Sequence, residues 1–158
     1  MIIACLAGGC RGSGRTTAGA SGKLATRWQK NPAGAQIWLL EQTGNDPQKF
    51  MEAILASGHF DSWAKNTPTQ LAGAVLNFPA TETPRHLAGV FDAWVATDAD
   101  AAGKFIDGKL KPGPARDAAV IALVEGIRDE RLAEAVAWAR TISDQGRMYS
   151  LLESLATH

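Results

Sequence analysis

Cysteine is nearly absent: Cys5 and Cys10 are the only two in 158 residues, and both fall within the first ten positions. Two cysteines cannot build a disulfide framework, and neither has Cys or His partners at metal-ligand spacing. Acidic residues are missing altogether from residues 1–40, where the charged groups are Arg11, Arg15, Lys23, Arg27 and Lys30. The remainder carries 11 basic against 16 acidic residues, a net of −5. A mildly basic arm thus precedes a mildly acidic body, and neither holds the dense basic cluster expected of a specific nucleic-acid face. No apolar run approaches the roughly 18 residues of a membrane span, so no transmembrane segment is expected. Convincing period-2 alternation is absent as well; the best strand candidates are Met1–Ala7 and Ile37–Leu40.

Catalytic constellations are equally scarce. His59, His86 and His158 share no partner spacing, and the serines are scattered without a nucleophile elbow. Asp129, Glu130 and Glu134 make a solvated helix face, not an acid/base pair. No catalytic residue, metal site or cofactor is therefore predicted.

What the chain does have is helix punctuation. It is 46% hydrophobic and 20% charged, enough apolar content for a core. Leu24 and Trp28 suggest a short helix ending at Asn31-Pro32. Asn31-Pro32, Asp46-Pro47, Asn66-Thr67-Pro68 and Thr83-Pro84 each join a capping side chain to a proline that tolerates the first helical position. These signals predict a helix from Pro32 with Ile37, Leu40 and Trp38 inward, and a long one from Pro47 to about Ala64. A third runs over about Pro68–Asn77. Another opens at Thr83-Pro84, where Leu87, Val90, Phe91 and Trp94 fall at i, i+3, i+4, i+7. Thr97 or Asp98 caps a further helix to about Asp107. The turn Lys111–Pro114 leads into 115–127, whose alanines imply burial on several sides. Asp129 should cap 130–141, and Gly146 should precede a last helix over 147–156. The class expected is all-α.

Phe60-Asp-Ser-Trp63 recurs as Phe91-Asp-Ala-Trp94 at an offset of 31, which also links Arg85, Arg116 and Arg147, Asp98 and Asp129, and Ala102 and Ala133. A fixed period between about 20 and 50 residues is the mark of stacked supersecondary units. One helical hairpin cannot bury both its apolar faces, so neighbours must stack in a row. The expectation is a short right-handed α-solenoid of about four hairpins over residues 23–158, after a flexible Gly/Ser-rich basic leader over 1–22. Trp63 and Trp94 should bridge successive hairpins. His59, in register with Val90 and Ile121, reads as a packed side chain. The arginine row is either a basic ladder for an acidic partner or a set of ties to neighbouring carboxylates and carbonyls, for which Asp61, Asp92, Asp98 and Asp129 are candidates.

The segments Trp28-x-x-Asn-Pro-Ala-x-Ala, Trp63-x-x-Asn-Thr-Pro, Trp94-x-x-Thr-Asp-Ala-Asp-Ala-Ala and Gly113-Pro-Ala-Arg-Asp-Ala-Ala resemble the Trp/Asp-Pro/Ala helical-hairpin repeats of many uncharacterised, often exported bacterial proteins. That resemblance implies the tetratricopeptide-like and HEAT-like solenoid class and a scaffold that binds another protein or peptide. The period is shorter than the roughly 34 residues of tetratricopeptide repeats, and their Gly/Tyr signature is missing.

Two other readings attach to the front of the chain. Ile2-Ile3-Ala4-Cys5 is similar to the small-residue run before a lipidated cysteine, which would make the chain an exported repeat protein if its natural start lay upstream; a bland leader is the alternative, so location stays open between cytoplasm and periplasm. Gly9-Cys-Arg-Gly-Ser-Gly14-Arg15-Thr16 follows the P-loop spacing with arginine in place of lysine. Met1–Thr17 resembles the start of chromosome-partitioning-type ATPases, with Ile37–Glu41 standing in for their second strand. On that resemblance Gly12, Gly14, Arg15 and Thr16 would bind phosphate. Against it, a forked arginine is no neutral substitute for lysine, and the last hundred residues offer none of the βαβ units such an enzyme needs.

Overall fold

The computed structural model describes residues 17–157, which are helical with no strand among them. In chain order the helices are α1 (Thr17–Lys30), α2 (Pro32–Gln42), α3 (Pro47–Ser57), α4 (Phe60–Asn66), α5 (Pro68–Val75), α6 (Thr83–Lys109), α7 (Pro114–Ile127), α8 (Leu132–Ala139) and α9 (Gln145–Ala156). Most helix–helix packing is with the next one or two helices in the chain, the α1–α4 contact described below being a longer one.

Two of the four signalled caps act, Asn31 and Asp46. Before Pro68 and Pro84 the threonines cap no amide, Thr67 donating instead to the Trp63 carbonyl at 3.2 Å and Thr83 to the Phe78 carbonyl at 3.1 Å. Asn31 accepts a hydrogen bond from the Gly34 amide at 3.0 Å, with Pro32 opening α2. The cap side chain lies so close that a Cβ on Gly34 would meet Asn31 Nδ2 at 2.8 Å. Asp46 accepts from the amides of Gln48 and Lys49 and starts α3. The chain turns between α2 and α3 through left-handed Gly44 and Asn45, at φ +64 and +57.

Other boundaries differ from expectation. The long helix expected from Pro47 to Ala64 is broken by Gly58 at φ +69, a conformation that favours glycine and ends α3. The two helices expected on either side of Asp98 are both present, as the halves of α6 that meet at a kink there. Asp98 takes φ −157 and ψ 83 and accepts from the Ala101 amide at 2.9 Å, so it still caps the second half. Asp129 caps nothing: it lies 3.6 Å from Arg128, and α8 begins only at Leu132. The last helix starts before Gly146, because Asp144 accepts from the Arg147 amide at 3.1 Å. Ile37–Leu40, the strand candidate, lies within α2, and Ile37 points outward, 60% exposed; Ala35, Gln36 and Leu39 form the buried side. α1 begins at Thr17, so six residues read as leader are helical.

The core holds two aromatic groups. Trp63 is fully buried, stacked on Trp28 with ring centroids 4.5 Å apart and edge-on to Phe50 at 6.0 Å. Trp28 also donates its indole N–H to Ser62 Oγ at 3.2 Å, joining α1 to α4 across 34 residues. Further along, Phe91, Trp94 and Phe105 pack with centroids 5.3 to 6.0 Å apart. α7 is buried on several sides as its alanines imply, and small residues let α6 approach it closely: a Cβ on Gly126 would lie 2.4 Å from Val95.

Trp63→Ala should lower stability by about 3–5 kcal/mol, since it empties a buried ring site shared by three helices. Urea unfolding followed by circular dichroism checks this, and a loss under about 1 kcal/mol would contradict the packing.

Candidate functional site

Three helices share one outward face. On the first half of α6, Arg85, Ala88 and Asp92 lie at i, i+3, i+7; on α7, Pro114, Ala118, Ile121 and Glu125 lie at i, i+4, i+7, i+11. At helical spacing each set forms a stripe. α9 adds Arg147, Ser150, Leu151 and Ser154. One hollow of about 460 Å³ is lined by Arg85, Ala88, Ala118 and Ile121, and a second of about 630 Å³ by Glu125, Leu151 and Ser154. Ile121 and Arg147 line both, so the two form one groove with a floor of small and apolar side chains.

The groove is electrically polar along the helix axes. Arg85 and Arg147 stand near the helix N-termini, with Asp144 beside Arg147, while Asp92 lies two turns beyond Arg85 and Glu125 three turns into α7. Arg85 makes no ion pair among the described residues, and Arg147 reaches Asp144 only at 3.8 Å. Partial burial, and after it the nearby Glu125 carboxylate, hold the Asp92 carboxyl above the usual range. Glu125 is itself paired with Arg128 at 2.7 Å. Burial, then the Arg85 charge, lower His86, which lies outside the groove against Phe78.

The arginine row does not act as one set. Arg116 donates to the Thr141 carbonyl at 3.0 Å and its Oγ1 at 2.9 Å, and lies 3.3 Å from Asp107, so it ties α7 to the end of α6 and to the loop before α9. Its neighbour Asp117 is 2% exposed and accepts from the amides of Ser143 and Asp144 at 2.9 and 3.1 Å. That buried carboxylate clamps the start of α9 against α7 and so places Arg147 at the groove. Sequence reading singled out Arg116 but passed over Asp117, although an acid at the i position of the apolar series Val120, Val124 signals a buried hydrogen-bonding role. Another tie missed is Arg131 to Asp100, at 2.6 Å and 31 residues apart, where the guanidinium holds the Asp100 carboxyl below its usual range.

The phosphate-loop residues Gly12, Gly14, Arg15 and Thr16 lie outside the described residues. His59 is half-buried at the head of α4. Among the described residues no cluster of three His, Cys, Asp or Glu side chains could hold a metal ion. Comparisons with protein-family models, with curated proteins and with solved structures returned no match.

Asp117→Ala should cost about 1.5–3 kcal/mol, the range for hydrogen bonds to a charged group, and should speed amide hydrogen exchange at Ser143 and Asp144 selectively. A carboxyl raised in the folded chain favours folding while protonated, and that advantage is lost as pH rises through its folded value. Asp92→Asn should therefore stabilise the protein at neutral pH and make no difference well below the ordinary carboxylate range. Urea midpoints at the two pH values test the sign.

Proposed function

We propose that the chain is a short right-handed α-solenoid of about four helical hairpins that binds a peptide segment of another protein in the groove across α6, α7 and α9, without catalysing a reaction. Support comes from the recurrence of helix starts: α6, α7 and α9 begin at Thr83, Pro114 and Gln145, each 31 residues after the last, and the second half of α6 resumes 31 residues after Pro68 opens α5. Packing mostly between near neighbours in the chain is what stacked hairpins require. The observation that carries the reading is the groove itself. It crosses α6, α7 and α9, and its floor of Ala88, Ala118, Ile121 and Leu151 admits a partner closely.

Its polarity orients the partner, with a carboxylate of the bound segment facing Arg85 and Arg147 and a cation facing Asp92 and Glu125. Such rim charges govern orientation and association rate, while the floor supplies affinity. The nucleotide-binding alternative gains no element from this region: Ile37–Glu41, its stand-in second strand, lies in α2.

Selection of a random-peptide display library on the full chain tests the proposal. Enriched peptides should lose at least about tenfold in affinity, the weight of one central interface contact, on Ile121→Glu. Arg85→Glu, at an exposed position, should weaken peptides with a carboxylate at the matching end. Failure to enrich any peptide, or binding indifferent to both substitutions, would refute the scaffold reading.

A further inference from the structure

The outer face of the α1–α2 hairpin is built unlike the rest of the surface. From Pro32 to Leu40, α2 carries no charged side chain, yet among the described residues its main packing is on α1 and α3, and Ile37 is 60% exposed, with Trp38 half-buried beside it. A helix with apolar groups on an outward side would ordinarily be covered. Alongside, α1 presents Lys23, Arg27 and Lys30, exposed at i, i+4, i+7 and therefore on one stripe. The two meet in one hollow lined by Lys23, Thr26, Arg27, Lys30, Trp38 and Gln42. Within it the Arg27 guanidinium lies 4.9 Å from the Trp38 ring centre. Glu41 is the single acid of the hairpin.

We propose that this face rests on an anionic lipid bilayer surface, with the lysines and Arg27 at headgroup level and Ile37 and Trp38 entering the interface. Three cations around half-buried Trp38, with exposed Ile37 next to it on the same helix, are the chemistry of interfacial, non-spanning attachment. No helix among the described residues is long and apolar enough to cross a membrane. The net charge of −5 beyond residue 40 is repelled by the same lipids, which turns the hairpin end downward and keeps the α6–α7–α9 groove in water.

Two other occupants fit less well. A nucleic-acid strand would need an open aromatic face for base stacking, and the Arg27 guanidinium covers Trp38. A second copy of the chain would set three cations against the same three, with one Glu41 on each side to offset them.

Each cation near an anionic surface should contribute about fivefold to partitioning, so attachment is weak, reversible and salt-sensitive. The test is co-sedimentation of the full chain with phosphatidylcholine vesicles, with and without phosphatidylserine. Binding should require phosphatidylserine, fall as ionic strength rises, drop at least about twentyfold in the Lys23→Glu/Lys30→Glu double variant, and fall severalfold in Ile37→Ser. Both variants alter exposed positions, and an unchanged thermal melt confirms that they fold. Since they retain Arg11 and Arg15, undiminished binding by the double variant would move the attraction to the leader and overturn the proposal. Equal binding to uncharged vesicles, or binding to neither, would overturn it too. So would tighter binding of a single-stranded oligonucleotide at the same face, or a dimer abolished by Ile37→Ser without vesicle binding.

Discussion

An eight-residue helix such as α8 has too few internal hydrogen bonds to offset the cost of nucleation, so it exists only because Ala135 and Ala139 are pressed against its neighbours. The same constraint governs α4 and α5, of seven and eight residues. Each short rod borrows stability from the next, and the contacts run mostly between near neighbours in the chain. Long-range order in the molecule is thus a sum of local dependencies. The Trp28–Trp63 stack joins α1 to α4, the Phe91–Trp94–Phe105 group joins the halves of α6, and Arg116 with Asp117 joins α6, α7 and the start of α9.

Polar ties supply what apolar packing cannot. Hydrophobic contact is non-directional, so an alanine-rich α7 could slide against its neighbours with little penalty. Asp117 removes that freedom by binding two backbone amides at the start of α9, and Arg131 meets Asp100 one period away. The groove on the outer face of α6, α7 and α9 follows from this registration. Its charges are left over from the structural work: of the three arginines in register, Arg116 is consumed between helices while Arg85 and Arg147 stay at the rim.

The two surfaces proposed for function differ in kind. The groove combines small side chains with opposite charges at its two ends, which suits a directional peptide. The hairpin face combines like charges with outward apolar groups, which suits an extended anionic surface with no fixed direction. They lie toward opposite ends of the chain order, on α1–α2 and on α6, α7 and α9.

Helix class and most helix starts were readable directly, because a cap acts within three residues and needs no distant partner. Asn31, Asp46 and Asp98 all accept the amide bonds their positions signal. The offset of 31 was readable too, and the starts at Thr83, Pro114 and Gln145 keep it. Periodicity alone could not say which side of α2 is inside: its residues are apolar nearly all round, and only the placement of α1 and α3 leaves Ile37 in solvent. Nor could it separate Arg116 from Arg85 and Arg147, since identical residues at identical register diverge once Asp107 and Thr141 come within reach of one of them. Local chemistry settles where a helix begins, while the side of it that faces water depends on neighbours brought there by the rest of the chain.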